Sequence, residues 1–455
     1  MKRDRNYWLF MGLFTFSLFL RLLLALVNRQ ANDDHIQVVD LLLKVHRLPI
    51  MFECHECFHP KLFYAVAASL FQTFQINSLG PQTLFMQLIN FFCGIAILVL
   101  LWKFIQAYSN KNDRQKLLAF ALVAFNPKLV GINSQASNDT FVILFSSFAL
   151  YFTFGFFKKP GYKLLGLVIL FNLLAVSTKF TGWITFLAIF LSFLLIAWVQ
   201  KSKKSFGYAF LLLGSVLFLT TLNPLSQFIT NYQNFGSPIA NNEEVQPFPP
   251  FTSQQPNNEK YNFRPGITSI SDGFMTFKFI NLIQYPLINN EQDGYPPQRT
   301  SFWTMLYADS NSLHFQNWPP FWETKNEENF NISRGIFLLA LLPAFTLITG
   351  FLIELFNCPK NFHNHNQPEN RALVLLTCGG YLSFLILATL LYRDFAFIKS
   401  IYILPGLLAF TWIFLRGAEK LINNRLAVCA LIVLLGFYVA DITSMIYQLY
   451  KVVVV

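Results

Sequence analysis

Apolar runs of about 17 to 23 residues, such as those around Leu23, Phe125 and Val142, recur along nearly the whole chain, and that is the length one helix needs to cross a bilayer. Only 13% of the 455 residues are charged while 54% are hydrophobic. That is about half the charged share of a soluble domain, too little polar surface to face water. The expected fold class is therefore an all-α polytopic integral membrane protein. The formal net charge of +11 would suggest nucleic acid in a soluble chain. In a membrane chain the positions of the charges report orientation instead, and no nucleic-acid partner is expected.

Short cytoplasmic loops hold an excess of Lys and Arg. Six basic clusters carry 18 of the 34 basic residues: Lys2/Arg3/Arg5, Lys103/Lys111/Arg114/Lys116, Lys158/Lys159/Lys163, Lys201/Lys203/Lys204, Lys360/Arg371 and Arg416/Lys420/Arg425. Placing all six inside puts five segments outside: 29–82, 133–139, the turn at Lys179, 224–334 and 392–399. The long segment agrees, because residues 224–330 hold ten acids against five bases and are rich in Pro, Asn and aromatic residues.

Parity requires the short apolar segment Leu62 to Phe74 to be juxtamembrane or re-entrant. About eleven spans follow: 7–28, 84–103, 117–133, 139–157, 163–178, 180–200, 206–223, 334–356, 372–391, 400–416 and 427–447. The first is read as a retained span, too long for a signal-peptide core, with Arg21 snorkelling to the interface from its outer end. Three regions are expected: 1–223, a transmembrane module with an amphipathic first outer loop (29–83); 224–333, an extracytoplasmic loop between spans seven and eight; and 334–455, the C-terminal helices.

Chemistry-bearing residues gather in the segments assigned outside. Asp33-Asp34-His35 opens an amphipathic helix. Capping of the positive helix end accounts for one carboxylate, whereas two adjacent acids also suit a general base and an orienting acceptor. In Cys54-His55-Glu56-Cys57-Phe58-His59 the ligand types suit zinc, but a second Cys pair is missing, so a disulfide or two free thiols is favoured over metal. Asn126-Pro127 breaks a span near its middle, and Asn138-Asp139 precedes another. Lys179, Arg393 and Lys399 are bases on the side where bases are scarce, and an anionic lipid phosphate is a natural partner for them.

Taken in order, these residues resemble motifs of the GT-C glycosyltransferases, in particular the branch of the protein O-mannosyltransferases and lipid A aminoarabinose transferases. Those enzymes carry an acidic pair after the first span, similar to Asp33-Asp34 here. They carry a His-Pro-Pro-Leu-Tyr-Tyr-like element at the end of the same loop, similar to His59-Pro60-Lys61-Leu62-Phe63-Tyr64. Three later motifs are similar to Asn138-Asp139, to Lys179-Phe180-Thr181-Gly182, and to Lys399-Ser400-Ile401-Tyr402-Ile403-Leu404-Pro405. The pair is Asp-Asp where Asp-Glu is commoner, and Lys61 stands where a second Pro is usual.

The resemblance implies an inverting transfer of a sugar from a polyprenyl-phosphate carrier to a hydroxyl of a lipid, glycan or protein at the outer face of a membrane, by family analogy the bacterial inner membrane. It implies Asp33 as general base with Asp34 and Asp139 supporting it, Lys179, Arg393 and Lys399 on the donor phosphate, and His59, Tyr64, Asn138 and Tyr402 positioning substrate. No cofactor is required by this reading, and a divalent metal is not favoured. The competing expectation is a transporter or flippase of polyprenyl-linked or other anionic lipids, which needs the same bases without bond chemistry but places its site at the midplane between repeats.

Overall fold

The computed structural model describes residues 2–28, 34–109, 112–238, 270–286, 300–312, 327–361, 368–392, 398–421 and 424–454, and no strand occurs among them. The helices, in chain order, are α1 (Lys2–Val27), α2 (His35–Val45), α3 (Leu62–Phe74), α4 (Leu79–Tyr108), α5 (Asp113–Ala124), α6 (Pro127–Ile132), α7 (Asp139–Lys158), α8 (Tyr162–Val176), α9 (Gly182–Val199) and α10 (Lys203–Leu222). They continue as α11 (Phe228–Phe235), α12 (Ile270–Met275), α13 (Phe279–Gln284), α14 (Phe302–Asn311), α15 (Glu327–Leu339), α16 (Leu341–Asn361), α17 (Pro368–Tyr392), α18 (Leu407–Leu421) and α19 (Arg425–Val454).

Among the described residues eight helical stretches are long and apolar enough to cross a membrane, within α1, α4, α7, α9, α10, α17 and α19 and over Phe330–Asn357. Each coincides with an expected span. The other three expected spans fall on shorter pieces: 117–133 is the broken pair α5 and α6, 163–178 is the 15-residue α8, and 400–416 is two tight turns followed by α18. The α3 helix has 13 residues. It is about 20 Å long, too short for a hydrocarbon core of about 30 Å.

The bundle is assembled around α7, which packs against α8, α4 and α9, while α17 lies on α9 and α19 closes against α1 and α15. α16 and α18 cross so closely that a Cβ on Gly350 would lie 1.9 Å from the Ile413 carbonyl oxygen, and one on Gly417 the same distance from that of Thr346. Hydrocarbon does not drive helices together, so small residues that let backbones touch are the means of association here.

Arg21 corrects one expectation. It does not snorkel; its side chain is fully buried, with Nη1 donating to the Ala124 carbonyl at 2.7 Å and Nε to Asn133 Oδ1 at 3.1 Å. The cause lies in the break at Asn126-Pro127. The helix stops at Ala124, so that carbonyl loses its intrahelical partner, and the guanidinium supplies the donor a membrane interior cannot.

Candidate active site

One end of the bundle, where α4, α7 and α9 begin and α8 and α10 stop, carries the loop between α1 and α3. Asp34 precedes α2 in the left-handed region at φ 61° and makes no side-chain cap bond. Its exposed carboxylate accepts from Gln37 Nε2 at 2.9 Å. α2 buries His35, Ile36, Val38 and Val39 against α3. After it, Arg47 pairs with Glu53, and a disulfide joins Cys54 to Cys57, which settles the alternatives left by the Cys-x-x-Cys spacing in favour of the bond.

Lys61, at the place of the usual second Pro, is fully buried and serves this loop rather than a substrate. Its Nζ donates to the carbonyls of Cys57 and, at 2.8 Å, of His59. Burial pushes the ammonium down to about 7, against the pull of Glu56 and Glu53. The backbone is tied as well: Lys61 N–H donates to Leu225 at 2.7 Å and Leu62 N–H to Ser177 at 3.1 Å, joining this loop to the ends of α8 and α10.

Around that frame the polar side chains converge. Glu56 Oε2 lies 3.2 Å from His59 Nε2 and 3.8 Å from His35 Nδ1. His35 Nδ1 is also 2.6 Å from the Tyr64 hydroxyl, which accepts from Asn138 Nδ2 at 3.3 Å. The next residue, Asp139, begins α7 and accepts from Lys179 Nζ at 2.6 Å, with 4% and 6% of the two residues exposed. The Lys179 ammonium lies 5.6 Å from the centre of the Tyr402 ring, within cation–π range.

Gly182 explains the spacing after Lys179. A Cβ there would lie 2.6 Å from the Ala175 carbonyl, so only glycine lets the turn fold tightly enough to bring Lys179 over α7. Burial by itself works against the Glu56 carboxylate, yet His35, the hydrogen bond to His59 and Lys179 outweigh it and hold the acid well below the usual range. Burial also lowers His59, to about 4, so the ring is neutral near pH 7; Glu56 opposes that shift and Lys179 adds to it.

The turn that carries Lys399 and Tyr402 is fixed from behind. Asp309 of α14 accepts from the Ser400 N–H at 2.5 Å and the Ser400 hydroxyl at 2.7 Å, and pairs with Lys128 of α6 at 2.5 Å. Asp309 and Lys128 are both buried.

The structure therefore brings together six of the expected residues, His59, Tyr64, Asn138, Asp139, Lys179 and Tyr402, with half-buried Lys399 in the same turn as Tyr402. Asp34 points to solvent beside them. Asp33 and Arg393 lie outside the described residues. Four contributors lie outside the expected set. The sequence offers Glu56 only as a zinc-type ligand and assigns no part to His35, Lys128 or Asp309. A lysine directly after Pro127 inside an apolar span was a usable signal, since a charge there needs a partner. Among the described residues no three His, Cys, Asp or Glu side chains converge in a metal-holding group.

No curated protein matches the chain. Residues 60–223, from Pro60 of the His-Pro element through the end of α10, match the family described as dolichyl-phosphate-mannose-protein mannosyltransferase, a GT-C family. That match supports the resemblance read from the motifs, and with it a membrane glycosyltransferase of the mannosyltransferase type.

Proposed function

We propose that the protein moves a sugar from a polyprenyl-phosphate carrier to an acceptor hydroxyl at the extracytoplasmic face of the membrane, with inversion at the sugar carbon. The observation that carries this reading is the Lys179–Asp139 pair, placed at the junction of α7, α9 and the Tyr402 turn. Two leaving-group requirements meet there. A polyprenyl phosphate departs as an anion and needs a cation preorganised in a dry site. An ammonium has three donors, of which Asp139 takes one, so Lys179 retains capacity for phosphate oxygens. Lys399, in the adjoining turn, and Arg393 complete the phosphate contacts in this reading.

Asp33 takes the acceptor proton as general base. Asp139 is engaged by Lys179, Asp34 is turned to solvent, and both therefore support the reaction rather than perform it. The acceptor is the hydroxyl of a lipid, glycan or protein. The Cys54–Cys57 disulfide supports the outer side, because such bonds persist in oxidising compartments. Residues 1–223 then form the catalytic module, 224–333 the outer loop and 334–455 the closing helices. The polar cluster sits at the helix ends, where a transferase working on a lipid headgroup needs it, and not at the midplane expected of a carrier.

Incubating purified protein with a panel of polyprenyl-phosphate sugars tests this. Time-dependent release of polyprenyl phosphate with formation of a glycosylated acceptor is expected; binding without release across the whole panel, acceptors included, contradicts it.

A further inference from the structure

His59 Nδ1 is buried and meets no hydrogen-bond partner among the described residues, although its other ring nitrogen faces Glu56. The ring is held on several sides. Nε2 faces Glu56 Oε2 at 3.2 Å, the His59 carbonyl accepts from Lys61 Nζ at 2.8 Å, and the ring lies 3.9 Å from that of Phe58 and stacks at 6.4 Å on that of His35. A side chain fixed this tightly with one ring nitrogen left over points to a ligand that supplies the missing partner.

Resting on the function proposed above, we infer that Glu56 and His59 act as a pair in which Glu56 fixes the imidazole as its Nε2–H tautomer and Nδ1 accepts a hydrogen bond from a hydroxyl of a sugar substrate. An ionised carboxylate only accepts, so the nitrogen facing it carries the proton and the other keeps its lone pair. The burial that holds His59 neutral keeps that lone pair available. The charged and titratable groups acting on the ring are Glu56, His35 and Lys179. The ionised phosphodiester of the donor has no proton to give to Nδ1, so the chemistry selects a hydroxyl and leaves the phosphate to Lys179. Glu56 is a positioning residue in this scheme: it touches no substrate and acts through His59.

Two readouts test the pair. The first needs no turnover: the 15N spectrum of histidine-labelled protein in detergent, with H59Q (or H59N, if that variant folds better) assigning the His59 signals. The Nε2–H tautomer is expected in the wild type and a loss of that preference in E56Q. An Nδ1–H tautomer in the wild type overturns the inference whether or not the protein transfers sugar.

The second readout is kinetic and applies to a wild type that transfers. E56Q and H59Q should each lower kcat/KM about 3- to 10-fold, with the double variant no worse than H59Q alone. A raised KM for the donor assigns the hydroxyl to the transferred sugar, and a raised KM for the acceptor assigns it to the acceptor. Unchanged kinetics in folded H59Q overturn the inference while leaving the transferase reading intact; a wild type that transfers nothing overturns that reading instead.

Discussion

Lys179, in the turn before α9, and Asp139, at the first position of α7, meet at 2.6 Å with almost no exposure, although 40 residues separate them. The pair holds two membrane helices together at the site and presents an ammonium toward Tyr402. Structural and binding duties are separable by mutation. K179M and D139N each leave an uncompensated buried polar group, so both should destabilise by about 3 to 5 kcal/mol, and K179M/D139N should recover much of that loss. Donor binding should weaken by a further 1.5 to 3 kcal/mol, roughly, only where Lys179 is lost. Thermal unfolding with donor titration separates the two, and equal donor affinity in K179M and D139N contradicts the phosphate assignment.

The buried imidazole predicts a dependence of stability on acidity. In the fold His59 takes its proton near pH 4 instead of the ordinary 6.5. Between those values the unfolded chain binds a proton that the folded one refuses, so stability falls as pH drops through that window. Glu56, held below its ordinary 4.5, adds a loss of the same sign only at lower pH. Melting temperatures measured from pH 7 to 4.5 should fall for the wild type and fall less for H59Q. Parallel curves would show that another group carries the effect.

Asp309 joins the described part of the long loop to the Tyr402 turn, through Ser400 and Lys128. D309N keeps the size of the side chain but strands the buried Lys128 charge, so a loss of about 3 to 5 kcal/mol is expected, with D309N/K128M recovering part of it. The Ser400 contacts, lost or weakened in either variant, should leave the 398–402 turn more open to protease. Unfolding curves and limited proteolysis check both, and a D309N protein as stable as wild type contradicts the anchor.

The spans were legible because hydropathy along a chain is local information, and eight of them survive as long helices. Motif residues such as Asn138 and Lys179 were legible as chemistry at the ends of the spans. What the sequence hid is long-range. Arg21 looks like a snorkelling residue until the break at Asn126-Pro127 frees the Ala124 carbonyl, 103 residues away. Lys128 and Asp309 are 181 residues apart, and neither announces the other. Glu56 sits inside a Cys-x-x-Cys, where its neighbours suggest metal, and only folding brings His35 and His59 to its two sides.

The outer-face assignment predicts that single cysteines introduced at Gln75 to Gly80 in a variant lacking the native ones react with an impermeant maleimide added outside intact cells, and that one at Lys111 does not. The reverse pattern contradicts the orientation and the charge argument behind it.

The central claim is sugar transfer with Asp33 as base, and the most direct measurement is the transfer rate of D33N against wild type, with donor binding measured alongside. Asn matches Asp in size and polarity but is no base. The account predicts a folded, donor-binding D33N protein whose transfer rate falls by about 100-fold or more. Transfer at the wild-type rate would contradict it.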